Sequence, residues 1–549
     1  MGRSAADALV ETMVGQGVDR VFCVPGESYI AVLDSLVDEP AIQIVTCRHE
    51  SGAGFMALAD AKITGRAGTC FVSRGPGATN ASIAVHTADQ DAVPVVFFIG
   101  QIERKDFGRD AFQEVNYAKT FADMAKAVEE VHDPERLPEV AARAYHIAES
   151  GTPGPVVVSL PEDMLEQPCA APAQASRPRP RPLPAEADVS TVADLLAAAE
   201  RPVLIAGGML NQPTARKSLL ACSEAWSLAV APSFKRQDLF PNEHPNYAGH
   251  LGYGIPPALG EAMAEADLVL AVGTRLGDIT TQGYTLPKPE QALVHVYPDA
   301  DAIGRVFPAT HAMVADAGAF VAALAERNAP PAPAGRADWN ARLHAIHAGL
   351  AAWTPLDATD GVDFGHVVQP LIDRLGDDAV LITDAGNFSS WLHRHYPFKE
   401  SNLLLGAVTG AMGLGVPAAV AAALREPGRQ VVALIGDGGF LMTGNELATA
   451  VKEGARICLI VSNNGAYGTI RLHQEKKFPG RTIATDLSNP DFAALAQAFG
   501  ATGLTIETPD QAAGVIDQAL AADGPVVVDV RSSLDHISAY ATVAGLRGH

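Results

Sequence analysis

Cysteine is scarce and scattered in this 549-residue chain: Cys23, Cys47, Cys70, Cys169, Cys222 and Cys458 form no Cys-x-x-Cys pair and have no histidine cluster beside them. That argues against a disulfide framework and against a structural zinc site. Several of them sit in apolar runs, such as 21–24 and 457–461, as small core residues do. Basic residues are in the minority, with Lys plus Arg 40 against Asp plus Glu 63 and a formal net charge of −23. A chain this acidic repels nucleic acid and anionic membranes, and no basic stripe reverses the balance. No basic segment followed by an apolar stretch opens the chain, so no signal peptide is read. The apolar runs are too short, or too interrupted by Gly and Pro, to span a bilayer. A cytoplasmic protein with neither nucleic-acid nor membrane partner is the expectation.

What is present is a well-packed composition, 48% hydrophobic and 19% charged, in a chain too long for one core. Two Pro-rich stretches, Pro168–Ala187 and Asn328–Gly335, lack apolar periodicity and suit inter-domain spacers. They predict three domains, residues 1–168, 188–328 and 355–549. Each reads as strands alternating with helices. The first has runs at 21–24, 42–46, 70–73, 95–99 and 156–160, with a helical stretch over 52–62. The second has runs at 203–206, 268–272 and 293–296, and the third at 380–383, 431–435, 457–462 and 526–530. Val- and Ile-rich runs bounded by Gly or Pro and separated by helices predict buried parallel strands. The fold class is therefore α/β, with three doubly wound parallel-sheet domains and the strand order open.

The chemistry is most legible in the third domain. The run 431–435 ends in Gly436-Asp437-Gly438-Gly439, with a helix expected to begin near Thr443. The run 457–461 ends in Ser462-Asn463-Asn464. Both motifs thus fall at C-terminal strand tips, where open α/β sheets bind ligands. Mg²⁺ prefers oxygen donors and is often shared between one or two protein oxygens and a phosphate. Asp437 offers a carboxylate and Asn464 an amide oxygen, while the glycines admit a diphosphate close to the backbone. Gly-Asp-Gly alone is a common turn; its coupling to Asn-Asn at the next strand makes a mere turn the weaker explanation.

This pairing resembles the motif of the thiamine diphosphate-dependent enzymes. The resemblance implies that Asp437, Asn464 and the carbonyl of Ala466 hold Mg²⁺, with Gly436, Gly438, Gly439 and Tyr467 also in the cofactor-binding set. Met412, in Gly410-Ala411-Met412-Gly413, matches the apolar wedge that bends the cofactor. Gly410 would offer it a carbonyl, and Gly386 and Asn387 further diphosphate contacts. In the first domain Arg48-His49-Glu50 precedes Ser51-Gly52-Ala53-Gly54. Alone, Glu50 reads as a charge favoured at a helix start. The resemblance makes it the activating carboxylate, hydrogen-bonded to the cofactor's pyrimidine ring, with His49 structural. It also implies a homodimer, or a tetramer of two dimers, because the two cofactor-binding domains meet across a subunit interface.

The resemblance spans the chain and is nearest the acetolactate synthase-like branch. Val24-Pro25-Gly26, Gly75-Pro76-Gly77-Ala78-Thr79-Asn80, Gly100-Gln101 and Asp110-Ala111-Phe112-Gln113-Glu114 carry it, with Gly26 in the cofactor set. Phe112 and Gln113 would lie by the thiazolium and substrate; the bland alternatives are a core aromatic and a solvated helix residue. There are departures. Arg74 stands where that branch has Ser before Gly-Pro-Gly, and His473 where it has a tryptophan. Gly468-Thr469-Ile470-Arg471 is similar to glyoxylate carboligase, which lacks a counterpart of Glu50. Arg74, Arg471 and His473 would help to form a pocket for an acceptor, and Arg471 and His473 are candidates to bind a substrate carboxylate or, equally, surface residues of the helix that follows. In the middle domain, 206–208, 273–278 and 296–299 align loosely with flavin-binding regions, leaving FAD, ADP or nothing open there. The expected activity is that of a carboligase which decarboxylates a 2-oxo acid such as pyruvate and joins the fragment to a second carbonyl. A decarboxylase or lyase without an acceptor, and a non-catalytic regulatory paralogue, are the alternatives. A nicotinamide oxidoreductase is weakened because no Gly-x-Gly-x-x-Gly opens a helix after a domain's first strand.

Overall fold

Runs of Val and Ile with small or turn-forming residues at both ends become parallel strands buried on both faces, and three such sheets organise the chain. The structure, a computed structural model, describes residues 2–548. The first sheet contains β1 (Arg20–Cys23), β2 (Gln43–Thr46), β3 (Gly68–Val72), β4 (Val95–Gln101), β5 (Ala127–Glu130) and β6 (Pro155–Pro161), in the order β2-β1-β3-β4-β6-β5. The second contains β7 (Pro202–Ala206), β8 (Ala229–Pro232), β9 (Leu268–Val272), β10 (Ala292–Tyr297) and β11 (His311–Val314), in the order β11-β10-β9-β7-β8. The third contains β12 (Val380–Thr383), β13 (Leu403–Gly406), β14 (Val431–Gly436), β15 (Cys458–Asn463), β16 (Thr502–Ile506) and β17 (Val526–Arg531), in the order β13-β12-β14-β15-β17-β16. The three parallel-sheet α/β domains expected from the sequence are present.

The strands that the apolar runs do not reveal are β5, β8, β11, β13 and β16, and every one of them is an edge strand. An edge strand has one neighbour and partly faces water, so β5, β11 and β16 are mostly half or fully exposed. β8 and β13 are buried but only four residues long, ending in Pro232 and Gly406. The central strands are buried nearly throughout.

The chain divides into two compact units, Met1–Arg179 with Ile382–Gly386 and Leu405–Leu534, and Pro180–Leu381 with Asn387–Leu404 and Asp535–His549. The Pro-rich stretch after Pro168 straddles this division. Its first half docks on the first unit, with Ser176 N–H donating to Gly15 O at 2.7 Å and Arg179 pairing with Glu149 at 2.7 Å. The second Pro-rich stretch behaves differently from a spacer. It leads into the helix Arg336–Ala351, whose Trp339 and Leu343 share a core with Val203, Ile205, Val269 and Ala271. Arg336, buried, donates to the carbonyls of Leu196, Ala199 and Trp226, where two helices of the same unit end. Asn328–Gly335 is therefore a loop within the second unit.

All six cysteines are free and buried. Among the described residues no helix is long and apolar enough to cross a membrane.

Candidate active site

The register of β14 on β15 sets two third-sheet tips side by side. Gly436 pairs with Ser462, so Asp437 and Asn463-Asn464 leave the sheet together. The helix expected near Thr443 starts earlier: it runs Asp437–Thr443 with Gly436 as its N-cap, so Asp437 itself occupies the first helical position. The two glycines that follow are required by close approach. A Cβ on Gly438 would strike the ring of Tyr467, and one on Gly439 the carboxylate of Asp384.

Asp437 is only 2% exposed. Its Oδ1 accepts from Gly438 N–H at 2.8 Å, and its Oδ2 accepts from Gly465 N–H at 2.9 Å and Asn489 Nδ2 at 2.8 Å. Burial raises the pKa of this carboxyl, and those hydrogen bonds offset only part of the rise. The two asparagines have different duties. Asn463 is structural: its Nδ2 donates to Asp529 Oδ1 at 2.9 Å and its Oδ1 accepts from Asn489. Asn464 is half-buried, its Oδ1 accepting from Ala466 N–H at 3.1 Å. Asn489, absent from the sequence reading, links Asp437 to Asn463 and keeps one buried oxygen unsatisfied. Among the described residues no three His, Cys, Asp or Glu side chains gather as a metal site. Asp437 and Asn464 instead offer one carboxylate and one amide oxygen at neighbouring strand tips, the donor type that suits a cation shared with a diphosphate.

The loop 407–414 after β13 carries Gly410 and Met412. Gly410 has φ +70 and open space around it, and Met412 is half-buried. The loop's far end is fixed by Gly413 N–H, which donates to both oxygens of Asp384 at 3.0 Å, and by Thr443 Oγ1, which donates to Gly413 O at 2.7 Å. Asp384 was not anticipated either; its neighbour Gly386 follows β12 in the first unit. Asn387 falls in the second unit, where its carbonyl accepts from Ser390 at the start of the helix Ser389–His395.

On the first sheet, Glu50 opens the helix Glu50–Thr64 directly after β2, and His49 caps it, its Nδ1 accepting from Ser51 N–H at 3.1 Å. Glu50 Oε2 accepts from Asn80 Nδ2 at 2.9 Å. The backbone just ahead is held by Glu446, fully buried, whose Oε1 accepts from the N–H groups of Arg48 and His49, both at 2.9 Å. A Cβ on Gly52 would collide with that carboxylate.

The tip of β3 bears Arg74-Gly75-Pro76-Gly77. Gly75, at φ +53, lies against the backbone of Gln113, itself at φ +65. Phe112 is 76% exposed, so it is no core aromatic, and Gln113 lies in a turn instead of a helix. Glu114 staples this loop by accepting from Gly108 N–H at 2.6 Å and Ala111 N–H at 3.1 Å. Gly26 packs on Ser73, where any side chain would clash.

Two arginines considered for substrate are otherwise engaged. Arg74 pairs with Glu27 and Glu162, each at 2.7 Å. Arg471 donates to Thr485 Oγ1 at 2.8 Å and Asp486 at 2.6 Å, bracing the segment after its helix. His473, on the same helix Gly468–Lys477, is exposed. In the second unit the loops after β7 and β9 flank the sheet's switch point. Gly207 N–H donates to Val272 O at 2.9 Å and Met209 N–H to Gly273 O at 3.2 Å, so loop-on-loop packing accounts for the glycines there.

The thiamine pyrophosphate (thiamine diphosphate) enzyme family matches in three segments: its N-terminal TPP binding domain over residues 3–120, its central domain over 189–324 and its C-terminal TPP binding domain over 384–530. An acetolactate synthase of Mycobacterium bovis is 33% identical over 540 residues, covering 96% of this chain and 87% of the relative. The acetolactate synthase isozyme 2 large subunit of Escherichia coli is 32% identical over 539 residues, covering 97% and 96%. A solved thiamine diphosphate-dependent 4-hydroxybenzoylformate decarboxylase of Rhodococcus jostii RHA1 shares the fold with a TM-score of 0.84 and 24% identity, covering 97% of this chain and 100% of that one. The chain belongs to the thiamine pyrophosphate enzymes and is acetolactate synthase-like.

Proposed function

We propose that the protein is a Mg²⁺-dependent carboligase that decarboxylates a 2-oxo acid such as pyruvate and joins the remaining fragment to a second carbonyl compound. The observation that carries this reading is the stapled loop at 110–114, which presents Phe112 to solvent beside the Gly-Pro-Gly turn and holds Gln113 in a left-handed conformation. Similarity along nearly the whole chain to proteins named acetolactate synthase supports it. When bound, thiamine pyrophosphate supplies a carbon nucleophile and an electron sink. Asp437, Asn464 and the Ala466 carbonyl are the proposed Mg²⁺ ligands, and Gly436, Gly438, Gly439 and Tyr467 line the diphosphate. Gly26, Gly386, Asn387, Gly410 and Met412 complete the proposed cofactor contacts. Glu50 holds the proton exchanged with the pyrimidine ring, positioned by Asn80 and by the backbone that Glu446 grips. His473 is the better placed of the helix's two substrate candidates, since Arg471 is committed to Thr485 and Asp486.

A specific observation favours a second reading, a decarboxylase without acceptor: with Arg74 and Arg471 both engaged within the chain, neither offers its guanidinium to the carboxylate of a second oxo acid. Incubation with pyruvate, cofactor and Mg²⁺, with products identified by NMR, separates the two. Acetolactate or acetoin supports the carboligase, and acetaldehyde alone the decarboxylase. No turnover despite bound cofactor rejects pyruvate and moves the assay to glyoxylate and larger 2-oxo acids. Flavin in the middle domain is tested by the visible spectrum of the purified protein, and the proposed dimer or tetramer by sedimentation.

A further inference from the structure

A buried ion pair from the first sheet's helices reaches the third sheet's cofactor loop. Lys62 lies in the last turn of the helix Glu50–Thr64, and Asp91 ends the helix Pro76–Gln90. Their side chains are 4% and 0% exposed and bind each other. Each also grips backbone of the other sheet. Lys62 Nζ donates to Gly406 O, the last residue of β13, at 2.7 Å. Asp91 Oδ1 accepts from Val408 N–H at 2.7 Å. The loop that carries Gly410 and Met412 is thus anchored at its start by this pair and at its end by Asp384 and Thr443. Between the anchors Gly410 is exposed and Ala411 and Met412 are half-buried.

Stability alone is a poor reason for such a pair. Two charges taken out of water regain little from their mutual attraction, and apolar side chains of similar volume often fold as well or better. What an apolar pair cannot do is donate to one backbone carbonyl and accept from the amide two residues on.

We propose that Lys62 and Asp91 are positioning residues for the cofactor: from the first sheet they fix the start of the loop 407–414, and with it the place where Gly410 and Met412 meet the bound cofactor. The proposal rests on the reading of those two residues given above. It assigns to one helix two tasks at opposite ends, Glu50 at its start and Lys62 in its last turn.

The test uses the full chain and the double variant Lys62→Met with Asp91→Leu, which keeps volume and removes both charges. In the cofactor-free protein, amide hydrogen exchange over 407–412 is expected to quicken at least about tenfold, with a single cooperative unfolding transition retained. Affinity for thiamine pyrophosphate with Mg²⁺, read by fluorescence titration, is expected to fall by about 10–100-fold, as for other groups that orient ligands without touching the bound species. The KM for the oxo acid should hold, and Lys62→Arg, which keeps the cation, should restore affinity. A folded double variant with wild-type exchange and affinity overturns the proposal. Should the double variant fail to fold, Asp91→Asn decides; it keeps an acceptor for Val408 N–H but unpairs Lys62, and unchanged cofactor affinity in it overturns the proposal. Wild-type protein that takes up no cofactor overturns the proposal and the reading of Gly410 and Met412 together, whereas equal uptake by wild type and double variant overturns the proposal alone.

Discussion

The first and third sheets run their strands in the same permutation, β2-β1-β3-β4-β6-β5 and β13-β12-β14-β15-β17-β16, yet they hold different chemistry at equivalent tips. At the third strand of each, a glycine caps a helix and a second glycine follows the first helical residue: Gly75-Pro76-Gly77 on one, Gly436-Asp437-Gly438 on the other. Proline there presets the helix and brings no chemistry. Aspartate in the same place puts a buried carboxylate among three N–H donors. At the second strand the roles reverse. β2 leads to the carboxylate of Glu50, while β13 leads to Gly410 and Met412, which have none. The permutation makes two sets of tips; in the proposed function, one residue at each tip decides which set holds a proton and which a cation.

The sharpest way to break that division is to neutralise the first sheet's carboxylate. Glu50→Gln should lower turnover by about 10²–10⁴, the usual worth of a placed acid or base. Thiamine pyrophosphate should still bind within a few-fold, read by titration alongside product NMR. Normal turnover would move the proton chemistry away from the β2 tip.

Next in size is the third sheet's carboxylate. Asp437→Ala should weaken Mg²⁺-dependent retention of the cofactor by about a hundredfold or more, since it removes a proposed ligand outright where loss of a ligand-orienting group alone costs 10–100-fold. Equilibrium dialysis with and without Mg²⁺ measures it. Retention equal to wild type would detach the metal from the β14 tip.

How much of this was legible follows from where each residue finds its partners. The strand-end positions of Asp437 and Asn464 could be read because apolar runs and turn residues are both local signals. Glu446, Asp384 and Asn489 could not, because each acts on backbone or side chains far away in the chain: Glu446 on Arg48 and His49, Asp384 on Gly413, Asn489 on Asp437 and Asn463. For the same reason Arg74 and Arg471 looked available in sequence, their partners Glu27, Glu162 and Asp486 being visible only in three dimensions. Strands divided the same way, central ones declaring themselves through uninterrupted Val and Ile while edges such as β5 and β16 did not. The Asn328–Gly335 stretch read as a spacer since proline reports local stiffness, and only the packing of Trp339 and Leu343 makes it internal.

A third, smaller effect tests the close fit between the two sheets. Gly52→Ala would drive a methyl into the Glu446 carboxylate, which three hydrogen bonds hold in place. The expected loss is about 1–3 kcal/mol, as for other overpacked interiors. Gly514→Ala, in the open helix Ala512–Ala521, should instead stabilise by about 0.5–1 kcal/mol. Urea midpoints compare them, and equal behaviour would mean that Glu446 yields.

Glu446 itself gives the smallest effect, and it appears only as a pH dependence. Burial raises the pKa of this carboxyl, opposed by hydrogen bonds from Thr449, Arg48 and His49. A carboxyl whose folded pKa lies above its ordinary value of 4.5 contributes stability that is fully present below that value. The contribution is lost as pH rises through the folded pKa, because ionisation is then harder in the folded chain than in the unfolded one. Glu446→Gln keeps Oε1 for the two amides and never ionises, so its stability should lack that decline. Asp437 and Asp529 are raised in the same sense. The discriminating quantity is therefore the difference between wild type and variant in urea midpoint, taken from pH 4.5 upward. A gap that widens in the variant's favour as pH rises means that the third sheet holds the tip of β2 with a carboxylate kept against the cost of its burial. Parallel curves would mean that Glu446 keeps one protonation state throughout, and that the grip on Arg48 and His49 needs only an oxygen, as an amide would supply.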